Sequence, residues 1–281
     1  MGQQIHWFPG HMNKALHEVE EKIKLVDVVV ELLDARAPMS SINEQLEKTI
    51  GNKKKVVVLS KPDLADPKQT DKWKDYFIKQ GNLVLVLNLT SPSATKEIAK
   101  AINVLGQEKW AKQKAKGMKP QAIRTMILGI PNVGKSSLIN RLAKRSAAGV
   151  QNKPGYTRGE QWIKVSNEFL LLDTPGILPM SYENQNKAIN LALLGSVKDD
   201  ILPKTDLVEA LLKFLKNKYP NALLERFGIE QITTFDAVIA GISQKRGLIS
   251  NKGEADINKC ENLILKEFKD GLLGRMTLEW L

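Results

Sequence analysis

The segment Gly129-Ile-Pro-Asn-Val-Gly-Lys-Ser136 has the spacing G-x-x-x-x-G-K-S. That pattern binds phosphate when a strand leads into it and a helix follows. Its glycines remove side-chain bulk, so consecutive backbone N–H groups can turn inward onto phosphate oxygens at the positive end of a helix. The expected contacts are Asn132, Val133, Gly134, Lys135, Ser136 and Ser137. Lys135 can reach and stabilise the outer phosphates, and the Ser136 hydroxyl can ligate a magnesium ion. Two further elements fit the same chemistry. Asp173-Thr-Pro-Gly176 follows a hydrophobic run, as expected of a D-x-x-G element; Asp173 would hold magnesium through water, and the Gly176 N–H would sense the outermost phosphate. Thr157, in the polar stretch Pro154-Gly-Tyr-Thr157, could fold over magnesium when triphosphate is bound. Together these patterns imply a nucleoside triphosphate site.

Two more segments bear on the base. Ser60-Lys-Pro-Asp63 ends the apolar run Lys55–Leu59. A carboxylate at Asp63 can accept from both guanine N1–H and its N2 amine. Adenine offers neither donor, and leaving such a carboxylate unsatisfied costs on the order of 1–3 kcal/mol. The stem of Lys61 can lie along the base plane. Asn88-Leu89-Thr90 follows the next apolar run and would form the loop whose backbone donates to the guanine oxygen.

Such residues need a scaffold that delivers loops to one place. Leu25–Leu33, Lys55–Leu59, Leu83–Leu87 and Ala122–Leu128 are near-continuous apolar runs, which suits parallel strands covered on both faces. Helix-length segments around 41–50, 67–80 and 93–116 alternate with them, and another follows the glycine loop. Alternation of this kind predicts right-handed βαβ units and an α/β fold with a doubly wound, mostly parallel sheet. Gln161–Val165 and Phe169–Asp173, split by Ser-Asn-Glu, predict a hairpin. Beyond about residue 181 the texture becomes amphipathic at a 3.6 period, in Leu207–Lys216 and Ile257–Phe268. The expected organisation is therefore a nucleotide domain over 1–180 and a small all-helical domain over 181–281.

Composition bounds the setting. The chain has 281 residues, a net charge of +11 and a single cysteine, Cys260, which excludes an intrachain disulfide and suits a reducing, cytoplasmic environment. No apolar run approaches the roughly 18 residues of a membrane span, so no membrane partner is expected. Met1–His6 lacks a signal-peptide core. The excess charge is uneven. Residues 181–281 hold 14 basic and 14 acidic side chains, whereas residues 1–180 hold 28 and 17. The run Lys109–Lys119 has five lysines and no acid. Such a face suits a polyanion such as RNA, or simply a solvated surface; charge alone does not separate the two.

The order of the motifs is informative. In Ras-like GTPases the phosphate loop and D-x-x-G precede the base-reading segments, whereas here 60–63 and 88–90 come first. In this the chain resembles the circularly permuted GTPases. Ligands of open parallel sheets gather at the carboxyl ends of the strands, so the chain can be cut and rejoined elsewhere without moving the site. Within that group it resembles the bacterial ribosome-biogenesis GTPase A (YlqF) subfamily. The matching text is Trp7-Phe-Pro-Gly-His-Met12, Asp34-Ala-Arg-Ala-Pro38, Lys116-Gly-Met-Lys-Pro120, the loop 129–136 and Leu172-Asp-Thr-Pro-Gly-Ile177. The match is strong over roughly residues 5–200 and holds in outline beyond.

The resemblance implies a circularly permuted P-loop GTPase using GTP, GDP and magnesium, active in late assembly of the large ribosomal subunit. It implies hydrolysis stimulated by that particle, and a helical domain contacting ribosomal RNA, with ribosomal proteins as further partners and no stable DNA partner. Ser60 departs from the asparagine usual in the family, and being shorter predicts weaker nucleotide binding. Tyr156 replaces a small or aliphatic residue beside Thr157. Ile177 stands where Ras-like enzymes carry the glutamine that orients water, so another group must position it. The resemblance assigns that catalytic role to His11; from the residues alone His11 better suits the start of the helix expected over Asn13–Leu25. Asn132 either braces the loop or, as in related potassium-stimulated GTPases, helps ligate potassium. Two rival functions remain: a module latched by GTP with negligible turnover, and an ATP-dependent enzyme, which Asp63 argues against.

Overall fold

The computed structural model describes residues 10–147, 162–172, 185–197, 202–250 and 253–281, with side chains from Leu16 to Lys144 in the first of these. After helix α1 (Gly10–Lys22), one 3-10 turn (Ile23–Leu25) leads into β1 (Val28–Asp34). There follow α2 (Glu44–Ile50), β2 (Lys54–Ser60), α3 (Pro67–Lys79), β3 (Leu83–Leu87), α4 (Ala94–Ala115), β4 (Ile123–Gly129) and α5 (Lys135–Ala147). The short strands β5 (Trp162–Lys164) and β6 (Phe169–Leu172) complete a six-stranded sheet of order β3-β2-β1-β4-β6-β5. Every neighbouring pair is parallel except the β5–β6 hairpin.

The apolar runs form strands because both faces of the sheet are covered. Val28, Val30 and Leu32 of β1 pack with Val56, Val58, Ile98, Ile102 and Leu138 under α4 and α5. The alternate residues point the other way. Val29 joins Leu16, Val19, Leu46 and Ile50 of α1 and α2, and Leu33 joins Val57, Leu59, Trp73 and Phe77 of α3. The period-2 split between two helical layers is the doubly wound sheet expected. Helix starts obey local chemistry: the Asn43 side chain accepts from the N–H groups of Gln45 and Leu46, and Asp66, ahead of Pro67, accepts from Lys68 and Gln69. The first strand begins three residues later than its apolar run, since Asp27 turns its carboxylate to Lys109 (2.6 Å) and to the Arg124 N–H (2.8 Å).

Beyond β6 the described residues form the helices α6 (Gln185–Leu193), α7 (Lys204–Lys218), α8 (Ala222–Phe227), α9 (Phe235–Arg246) and α10 (Ile257–Lys269), with one isolated bridge between Ile249 and Ala255. Leu207, Leu211, Leu215, Val238, Ile242, Ile264 and Phe268 form its core. Helix α6 is shared: Ala188 and Leu191 enter the core under the sheet, and Ala192 and Leu193 enter the helical core. Buried Glu267 is ionically satisfied by Arg226 (2.7 Å) and Arg246 (3.3 Å). No described helix is long and apolar enough to cross a membrane.

Two buried acids lie within β1, Glu31 at its centre and Asp34 at its end. Glu31 faces Lys55 at 2.9 Å, and Lys55 also reaches Glu47 at 2.7 Å. Burial, only partly offset by the Lys55 ammonium, pushes the Glu31 carboxyl from 4.5 up to about 7. The folded state therefore binds a proton that the unfolded chain has released, and this group's contribution is complete below pH 4.5 and lost as pH rises through about 7. Glu31→Gln should remove that slope. In urea unfolding across this range, the wild type should lose up to about 3 kcal/mol relative to the variant; parallel pH profiles would contradict the assignment.

Candidate nucleotide site

Parallel register fixes where the motif-bearing loops go. Leu32 pairs with Gly129, Asp34 with Ser60, and Ser60 with Leu87. The carboxyl ends of β1, β2, β3 and β4 therefore share one edge, and the loops 61–66, 88–91 and 130–134 leave the sheet side by side. β6 is parallel to β4 and ends at Leu172 on the same edge.

The phosphate loop has the backbone its glycines allow. A Cβ at Gly129 would lie 2.9 Å from the Leu32 carbonyl oxygen and 2.9 Å from a Val133 methyl, so only glycine lets β4 approach β1 here. Gly134 sits at φ +107, and a Cβ there would meet Leu89 at 2.9 Å. Asn132 takes the left-handed φ of 60, and its amide donates to the Gly195 carbonyl at 2.6 Å. The bracing role expected for Asn132 is thus present, directed at the turn after α6. Val133 and Lys135 are buried, whereas Ser136 and Ser137 are exposed in the first turn of α5. The first turn of α5 presents its N–H groups as a helix N-terminus that suits a phosphate.

Loop 88–91 is held against the phosphate loop. The Leu89 side chain lies over Gly134, and Arg141 of α5 donates to the carbonyls of Leu89 and Ser91, the latter at 2.7 Å. Asn88 accepts from the Thr90 N–H (2.9 Å) and hydroxyl (2.6 Å), which closes the turn. The sequence gives no hint of Arg141, because an arginine on a helix face carries no pattern.

The segment 60–63 is anchored from below. Asp63 is exposed at the loop tip. Lys61 adopts φ 54, uncommon for a side chain-bearing residue, and its ammonium pairs with Asp34 at 2.9 Å. Asp34 is fully buried and also takes both Nε and Nη2 of Arg36 at 2.9 Å. Burial opposes its ionisation, but the Arg36 and Lys61 cations outweigh burial and hold the carboxyl below its usual range. The Asp34-Ala-Arg36 text thus has a physical role that sequence reasoning did not assign. Ser60 is fully buried, and its hydroxyl donates to the Leu33 carbonyl at 3.0 Å, bracing β1 to β2.

Of the remaining expected residues, Thr157, Asp173 and Gly176 lie outside the described residues, as do Tyr156 and Ile177. His11 falls in the first turn of α1, and its side chain is outside the described ones. The basic run Lys109–Lys119 sits at the opposite edge of the sheet, beside an open cleft of about 520 Å³ lined by Asp27, Lys53 and Lys54 at the strand starts. Part of its charge is paired there, Lys109 with Asp27 and Lys112 with Glu108, each at 2.6 Å.

Known proteins share this architecture. Residues 124–245 match a family described as 50S ribosome-binding GTPase. Ribosome biogenesis GTPase A of Bacillus cereus is 45% identical over 280 residues, covering 98% of this chain and 93% of that protein. Its counterpart in Thermotoga maritima is 31% identical over 275 residues, covering 98% and 94%. GNP-bound YlqF from T. maritima superposes with a TM-score of 0.67 at 29% identity, over 95% of this chain and 98% of that one. A GDP-bound YlqF structure gives 0.68 at 28%, over 94% and 98%. The chain is a GTPase of ribosome biogenesis and belongs to the ribosome biogenesis GTPase A family.

Proposed function

We propose that this GTPase acts in assembly of the large ribosomal subunit, binding the precursor particle in its GTP state and hydrolysing GTP when the particle stimulates it. One observation supports this most: a phosphate loop and a guanine-reading segment gathered at one sheet edge, in a chain 45% identical along nearly its whole length to a named ribosome biogenesis GTPase. Residues 1–180 would form the nucleotide domain and 181–281 the helical domain that meets ribosomal RNA and proteins, with α6 at the joint. The setting is the cytoplasm.

In the site, Asp63 would accept from the guanine N1–H and N2 amine while the turn at Asn88–Thr90 offers backbone donors to the guanine oxygen. The N–H groups of 132–137 and the Lys135 ammonium would hold the phosphates. Ser136, with Thr157 and Asp173, would hold magnesium, which when bound supplies positive charge between the outer phosphates. The Gly176 N–H would report the outermost phosphate.

Positioning and charge stabilisation supply most of the catalysis in a loose phosphoryl-transfer transition state, so a residue that orients water is sufficient. Chain geometry favours His11. Helix α1 ends where Val26 leads into β1 at the amino edge, and Leu16 and Val19 pack along the sheet against Leu128 and Leu172. Thirteen helical residues rise about 20 Å, close to the length of a seven-residue strand. That carries the start of α1 back toward the nucleotide edge.

His11→Ala should leave nucleotide affinity nearly unchanged and lower particle-stimulated turnover by about tenfold or more; unchanged stimulated turnover would remove His11 from the mechanism. If Asn132 exchanges its Gly195 partner for potassium during catalysis, turnover in potassium should exceed that in sodium at equal ionic strength. Equal rates would leave Asn132 as a brace. Co-sedimentation with large-subunit precursors should be retained with a non-hydrolysable GTP analogue and weakened with GDP. Indifference to the nucleotide, or no binding to the particle, would contradict the proposed function.

A further inference from the structure

The segment following α10 returns across the molecule to the loop that carries Asp63. The Arg275 guanidinium donates to the Pro62 carbonyl at 2.7 Å and to the Ala65 carbonyl at 2.9 Å. Between them, the Met276 N–H donates to the Leu64 carbonyl at 3.0 Å. The Thr277 hydroxyl accepts from the Asp66 N–H at 3.1 Å. Leu64 packs so tightly on Gly271 that a Cβ there would sit 2.7 Å from a Leu64 methyl. Strap and loop are thus joined at Pro62, Leu64, Ala65 and Asp66, on both sides of the exposed Asp63.

Two further links tie the strap to the fold. The Tyr219 hydroxyl, at the end of α7, donates to the Asp66 carboxylate and accepts from the Thr277 N–H, both at 3.1 Å. Burial, with the Asp66 carboxylate adding to it, pushes this hydroxyl up to about 12, so it remains a donor at any physiological pH. On the other side, Arg36 donates to the Lys269 carbonyl at 3.1 Å while its own carbonyl accepts from the Leu278 N–H at 2.7 Å. Arg36 is the residue that shares Asp34 with Lys61. The loop is therefore gripped from beneath through Asp34 and from outside through the strap.

A loop of six residues with an exposed tip has no reason to hold one carboxylate in a bidentate geometry by itself. The left-handed Lys61 makes this sharper, since such a backbone persists only where its surroundings over-determine it. On the assignment of 60–63 as the guanine-reading segment, we propose that Arg275 and the strap 271–279 are positioning elements for guanine recognition, holding Asp63 where it meets the base. Base affinity is then set partly by the helical region, through a route separate from the phosphate loop. A partner that shifts α7 or α10 would loosen the grip on the base.

Titrating the full-length protein with GDP, IDP and ADP tests this. IDP lacks the N2 amine, so the ratio of GDP to IDP affinity isolates the Asp63 contact from the phosphate contacts. Wild type should prefer GDP over IDP and reject ADP. Arg275→Ala should lower GDP affinity by about tenfold and bring the GDP:IDP ratio toward one, with an unchanged thermal midpoint. Arg275→Lys, which keeps a cation but loses the forked geometry, should restore part of the ratio. Tyr219→Phe removes the opposite grip and should lower the ratio in the same direction, which keeps the test decisive should Arg275→Ala fold poorly. An unchanged GDP:IDP ratio in folded variants would overturn the positioning role. A wild type that binds GDP, IDP and ADP alike would instead overturn the guanine-reading assignment itself.

Discussion

Parallel pairing of β2, β1 and β4, with Leu32 opposite Gly129 and Asp34 opposite Ser60, delivers the loops of this protein to one edge. Parallel ladders need crossovers and cover on both faces, and the chain meets both needs with α2 to α5. Once that register is set, the phosphate loop, the turn at Asn88–Thr90 and the segment ending in Asp63 have no other place to go. The approach of β4 to β1 at Gly129 shows how tight the arrangement is, since a single methyl there would strike the Leu32 carbonyl. Sequence order along the chain is irrelevant to such a site; strand order in the sheet decides it.

The permuted order does change what the site is attached to. The helical region follows the sheet and touches the site at two separate points. Asn132 of the phosphate loop donates to Gly195, and the strap after α10 runs along the base-reading loop. Lys269, at the end of α10, has its carbonyl on Arg36 and its side chain beside Gly195. The phosphate side and the base side of the site thus meet the same helical body. A change in that body can be felt at both.

Much of this was legible in the residues. The strands announced themselves as runs such as Leu25–Leu33 and Lys55–Leu59, because both faces of a central strand are dry and no polar alternation is needed. The G-x-x-x-x-G-K-S loop was legible because phosphate binding by backbone demands glycine at fixed spacing. The β5–β6 hairpin showed in the polar break at 166–168. What escaped was the support. Asp34, Arg36 and Lys61 form one ionic unit, yet Lys61 lies far along the chain and only strand pairing brings it back. Arg275 and Arg141 act through main-chain carbonyls, which every residue possesses, so no residue type nearby marks them. The bond of Ser60 escaped for a related reason: a hydroxyl at a strand end can face a ligand or its neighbouring strand, and only the register shows that it bonds Leu33.

The account turns on one nucleotide bridging loops that come from distant parts of the chain. A structure of the full chain with GDP and magnesium examines this directly. The base should lie with its N1–H and N2 amine within hydrogen-bonding distance of the Asp63 carboxylate, while the β-phosphate rests on the N–H groups of 132–137 and the Lys135 ammonium. A nucleotide bound with its base remote from Asp63, or with its phosphates away from Gly134 and Lys135, would contradict the account.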